Sequence, residues 1–112
     1  MDSTPGSGHP YDLSIDETTL LVTIRREFDT GSLHQDWAHS IVTAHPGPFT
    51  AVVLDLSSTG LLLSTFFAGL IKLHFHYTQH GVAKIRVLKP DLRMVRNLSM
   101  LRMDQLFDIV LR

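Results

Sequence analysis

At 112 residues and 12.6 kDa the chain has room for one domain and no second. A composition of 44% hydrophobic and 19% charged residues supplies a core and excludes wholesale disorder, while the absence of cysteine excludes a disulfide framework and fits a cytoplasmic setting. The formal net charge of -1 excludes a global field towards nucleic acid or anionic lipid, and the longest apolar run, 60–71, is broken by Ser64 and Thr65 and ended by Lys72, too short for a membrane span.

Residues 1–10, rich in Gly, Ser and Pro, read as a flexible tail, and 11–112 as the folded domain. Tyr11 to Ile15 alternates, and Leu20 to Arg26 is rich in aliphatic and β-branched residues, so two strands joined by a turn at Asp16-Glu17-Thr18 are expected. Asp29 to Ser32 offers cap-forming side chains ahead of Leu33, Trp37 and Ile41 at helical spacing. His45-Pro46-Gly47-Pro48 must end that helix. Thr50 to Leu56 is a short apolar run suited to a central strand. Phe66, Leu70, Leu73 and Tyr77 then form one stripe of a helix starting near Ser64 and stopped by Gly81. Phe67 and Ile71, off that stripe, are expected to pack under a neighbouring helix or to form an apolar contact patch. Ala83 to Leu88 alternates as a strand, Pro90 suits the first turn of a further helix with Leu92, Val95 and Leu98 inward, and Phe107, Ile109 and Leu111 close the chain as a strand. The order β-β-α-β-α-β-α-β predicts an α/β domain: a mixed sheet of about five strands with three or four helices packed on it.

Charge is polarised along this order. Residues 1–71 carry two basic and eight acidic side chains, and 72–112 carry eight basic and three acidic. Interleaving of the two halves in a compact domain is expected to compensate most of that difference internally.

Three segments at fixed mutual distance carry a family resemblance. Glu27-Phe28-Asp29 is similar to a Gly-Glu-Leu-Asp signature at the end of a second strand, Val52-Val53-Leu54-Asp55-Leu56-Ser57 to a central Val-Val-Leu-Asp-Leu-Ser strand, and Leu101 to Ile109 to a closing Thr-Gly-Leu-Asp-Arg-Leu-Phe-Glu-Ile segment. Over residues 11–112 the chain resembles the STAS domain family, the sulfate-transporter and anti-sigma-factor-antagonist domains. In the family's regulatory branch an Asp-Ser-Ser-Gly turn opens the helix after the central strand, and its first Ser accepts phosphate from a partner kinase. The matching positions here read Leu63-Ser64-Thr65-Phe66, with Leu in place of Asp and Phe in place of Gly.

The resemblance implies a non-enzymatic interaction module that binds an anti-sigma factor or serine-kinase-like protein. Ser64 would be the phosphorylated residue, Thr65 and Phe66 would shape the docking turn, and Asp29 would support the adjacent loop. Read from the residues alone, Ser64 is a helix-capping hydroxyl, Phe66 a core residue and Asp29 a capping or loop-bracing carboxylate. A phosphate on Ser64 would add nearly two negative charges at the positive end of a helix dipole, which the fold tolerates while the docking surface changes. Two other readings stay open: a STAS-type scaffold that assembles into a larger signalling complex and is never phosphorylated, and a nucleotide-binding domain using the basic residues Lys89, Arg93 and Arg96. Self-association stays open as well. No cofactor, membrane or nucleic-acid partner is expected. His76 and His80 stand at i, i+4, but a zinc site needs a third ligand, and no His-Glu-x-x-His pattern, nucleophile elbow or phosphate-cradling glycine loop occurs.

Overall fold

A computed structural model describes residues 11–25, 37–57 and 64–111, the first two residues of the last segment by their backbone. β1 (Tyr11–Asp16) and β2 (Thr19–Ile24) form an antiparallel hairpin, followed by α1 (Trp37–Ala44), β3 (Ala51–Asp55), α2 (Ser64–Thr78), β4 (Ile85–Leu88), α3 (Leu92–Met100), a 3-10 turn (Asp104–Leu106) and β5 (Phe107–Val110). β2, β3, β4 and β5 are parallel, and the sheet order equals the chain order. The chain is thus α/β with one mixed five-stranded sheet and, among the described residues, three helices.

Successive right-handed crossovers in one direction put every helix on the same face of such a sheet. Burial agrees with this placement. Leu20, Val22, Val52, Leu54, Ile85 and Val87 are buried in one cluster with Ile41 of α1, Leu70 and Leu73 of α2, and Met94 and Leu98 of α3. On the opposite face, register aligns Ser14, Leu21, Val53, Arg86 and Asp108 in one row, of which Leu21 and Val53 are half-buried and the others exposed. The expected stripe of α2 is the centre of the core: Phe66, Leu70, Leu73 and Tyr77 are at most 1% exposed, each such burial contributing roughly 1.5–3 kcal/mol. Phe67 and Ile71 are half-buried against that core.

Helix ends follow local chemistry. At the end of α2, Val82 N–H donates to the Tyr77 carbonyl (3.0 Å) around Gly81, whose φ of 112° is the left-handed conformation that such a cap demands. Asp91 caps α3 by accepting the Arg93 N–H (2.8 Å), and the same contact, with the Arg93 guanidinium, holds its carboxyl below the usual range. At its other end the Arg102 and Met103 N–H groups return to the Ser99 and Leu98 carbonyls, with Arg102 itself left-handed at φ 59°.

The structure corrects four expectations. Pro90 precedes the Asp91 cap instead of occupying the first turn of α3. With the cap at Asp91, the residues facing the sheet are Met94 and Leu98, about 40° apart around the axis, so Leu92 lies on the far side at 69% exposure and Val95 flanks the buried stripe. Leu111 lies past the last pair, Leu88↔Val110, and is 55% exposed, because Lys89 turns left-handed (φ 51°) and takes β4 out of the sheet. Nor, among the described residues, do the acidic and basic halves pair with one another: the ion pairs Arg25–Asp12, Arg86–Asp108 and Arg93–Asp91 each join residues of the same half. Sequential strand order is the reason, since each new strand adds outside the previous one.

Candidate functional site

The β3–α2 connection leaves the C-terminal end of the central strand, and α2 begins at Ser64. Asp55, the last residue of β3, accepts the Ser57 N–H at 2.9 Å, so its carboxylate braces the exit of the strand. Leu56, 1% exposed, is held by its own N–H to the Leu88 carbonyl at 3.0 Å. Both contacts fix the chain as it leaves the sheet towards the helix.

The start of α2 is fixed from below by aromatic packing. Phe66, fully buried, lies parallel to the Trp37 indole with ring centroids 5.0 Å apart, and meets Phe67 edge-on at 6.3 Å. Trp37 opens α1 and Phe66 is in the first turn of α2, so the stack ties the beginnings of two helices together above adjacent parallel strands. Gly69 permits this approach, because a Cβ there would fall 2.5 Å from Cζ2 of Trp37 and closer still to Nε1 and Cε2. Neither Trp37 nor Gly69 stands out as part of the site in the sequence. The signal available was a glycine inside an otherwise helical pattern, which costs about 1 kcal/mol against alanine and so marks a close approach.

Of the expected site residues, Ser64 and Thr65 have their backbones in the first turn of α2. Phe66 belongs to the core and lies beneath that turn. Asp29 lies outside the described residues, as does Leu63.

His76 and His80 have other partners. A carbonyl can only accept, so Nε2 of His76 donates to Pro46 O (2.9 Å) and Nδ1 of His80 donates to His76 O (2.6 Å), with the two rings stacked at 4.5 Å. His74 instead faces Phe107 of β5, at 5.7 Å between rings. Among the described residues no group of three His, Asp or Glu is arranged to hold a metal ion. Beside them the Tyr77 hydroxyl donates to the His45 carbonyl (2.7 Å), and burial pushes its pKa up to about 12.

A shallow groove of about 580 Å³ opens where β3, β4 and β5 begin, lined by Thr50, Val53, Ala83, Lys84 and the Arg86–Asp108 pair. It lies at the opposite end of the parallel strands from Ser64. Among the described residues, no helix is long and apolar enough to cross a membrane. Comparison of the chain with family models and with curated proteins gives no match.

Proposed function

We propose that the protein is a non-enzymatic interaction module of STAS type, acting in the cytoplasm as an anti-sigma-factor antagonist does: it presents the turn around Ser64 to an anti-sigma factor or serine-kinase-like partner, and phosphate on Ser64 controls docking. The observation that supports this reading is the Trp37–Phe66 stack beneath the first turn of α2, which packs the backbone of that turn, where the sequence reads Ser64-Thr65, against the core. A turn packed in this way costs a partner less binding energy to order than a free one. Phosphate at a helix N-terminus leaves the helix intact and changes the charge and bulk presented to the partner.

The second reading, an unphosphorylated STAS-type scaffold, draws on the same stack, since Phe66 stands where the regulatory branch has Gly and is committed to the core. The two readings part on charge. Titration of Ser64→Asp and Ser64→Ala against the kinase-like protein encoded nearest to this chain, alongside a denaturant melt of each variant, is the test. The switch reading expects Ser64→Asp to lose binding at least about tenfold with little loss of stability, and Ser64→Ala to keep binding while losing about 1 kcal/mol as a capping hydroxyl goes. Equal affinity for both variants retires the switch and leaves the scaffold.

A further inference from the structure

Among the described residues, much of the charge that the sequence separates along the chain is also separated across the sheet. Strand order equals chain order, so β1 and β5 are the two edges of the sheet, four strand spacings or roughly 19 Å apart. At the β1 edge Asp12, Asp16 and Glu17 are exposed, together with Ile15 at 49%. Arg25 pairs with Asp12 at 3.4 Å, while Asp16 and Glu17 make no ion pair to another described residue. β1 is hydrogen-bonded only to β2, so its outer row of backbone N–H and C=O groups has no strand neighbour among the described residues.

The opposite edge is basic and apolar. Leu92, Arg93, Arg96 and Met100 fall within an arc of about 100° on the outer side of α3, with Leu92 69% and Met100 75% exposed. Lys89 and Arg102 flank the helix. Asp91 pairs with Arg93, and Lys89, Arg96 and Arg102 make no ion pair to another described residue. Among described residues, five of the six exposed large hydrophobic side chains lie on these two edges: Ile15 on one, Leu92, Met100, Leu101 and Leu111 on the other. Exposed apolar side chains beside charge mark interaction surfaces. Ile15 shares the β1 edge with Asp12 and Asp16, which alternation turns to the other face of the sheet, and the α3 edge, with Lys89, Arg93, Arg96 and Arg102 against Asp91 and Asp104, is basic in balance.

Backbone conformation singles out the same places. Among the described residues, the non-glycine residues with positive φ are Glu17 (56°), Lys89 (51°) and Arg102 (59°). Each occupies a position that Gly or Asn adopts with less strain, and each is charged with the sign of its own edge.

We infer that the two edges are the halves of one self-association contact, in which the acidic β1 edge of one copy docks on the basic α3 edge of the next. The contact is head to tail, so each copy that joins presents a fresh edge and copies add in series. It is separate from the proposed docking turn, because the backbone of α2 begins beyond the C-terminal end of β3 and not at an edge of the sheet, and it gives the scaffold reading a physical means of assembly.

Sedimentation velocity across a concentration series, from about 10 mM to about 1 M salt, is the first measurement, because the screening length falls from about 30 Å to about 3 Å over that range. Species heavier than the 12.6 kDa monomer are expected at low salt and should dissolve at high salt. The second measurement uses two charge reversals on exposed residues, Asp16→Lys with Glu17→Lys in one chain and Arg96→Glu with Arg102→Glu in another. Each variant alone should associate at least about tenfold more weakly than the unaltered protein, and an equimolar mixture should regain association, since the mixture restores opposite charges across the contact. Circular dichroism melts confirm that both variants fold. A wild type that stays monomeric at low salt, association unaffected by either reversal, or a mixture that remains monomeric would each overturn the inference. Binding of the monomer to phosphatidylglycerol vesicles, lost in Arg96→Glu with Arg102→Glu, would assign the basic edge to a lipid surface instead.

Discussion

Gly69→Ala tests the support beneath the candidate docking turn. In an exposed helix the change would stabilise by about 1 kcal/mol, because alanine loses less backbone entropy on folding. Gly69 is buried, however, and the added methyl would sit 2.5 Å from Cζ2 of Trp37 and closer to two other indole atoms, against an ordinary carbon–carbon contact of about 3.5–4.0 Å. The indole must therefore move by roughly 1 Å or more. Overpacking of this kind costs about 1–3 kcal/mol, and displacing the ring from its 5.0 Å stack on Phe66 forfeits a further 0.5–1.5 kcal/mol or so. Set against the propensity gain, the net effect is a destabilisation on the order of 2 kcal/mol. Trp37 is the only tryptophan, so its fluorescence reports the local change while a urea titration reports stability. Trp37→Phe in the same chain makes room for the methyl and should recover part of the loss, giving a coupling energy between the two positions. Stabilisation of Gly69→Ala by about 1 kcal/mol with unchanged emission would show that the indole does not lie on the α2 backbone.

Two further outcomes follow from burial. Leu98→Ala should cost about 2–5 kcal/mol in a urea titration, whereas Leu92→Ala, at 69% exposure, should fall within about 0.5 kcal/mol of wild type. Tyr77 has its pKa raised from 10.0 to about 12 in the folded state, so the stability tied to its proton is fully present below pH 10 and is lost as pH rises towards 12. Tyr77→Phe should lose about 1 kcal/mol at neutral pH with the hydrogen bond to His45, and its stability should fall less steeply between pH 10 and 12.

Legibility followed the range of the interaction that decides each feature. The α2 stripe could be read because its four apolar residues have a single phase, and Gly81 because a left-handed cap is a local demand. For α3 the sequence offers two phases, through Leu92 or through Met94, and only the angle at which the chain enters from Asp91 selects the second. The Trp37–Gly69 approach joins residues on different helices, and no local pattern encodes it. The charge halves were visible as numbers, but their placement depends on strand order, which periodicity does not reveal. At the candidate site, the resemblance pointed to Ser64 and the helical pattern placed a helix start there; the burial of Phe66 explains in packing terms why that position carries a large aromatic residue.

The sequential sheet also sets how the chain is put together. Each parallel strand pairs with the strand synthesised just before it, Thr19 with Ala51, Val53 with Arg86 and Ile85 with Phe107, so no strand has to be threaded between two that are already joined. A nascent chain can lay down the β1–β2 hairpin and then add one strand-and-helix unit at a time, keeping every closure short in sequence. Until α3 and β5 emerge from the ribosome, the growing edge is β4, whose Ile85 and Val87 are fully buried in the finished protein. Within this domain, α3 and β5 therefore complete the cover over apolar side chains that the earlier units leave open.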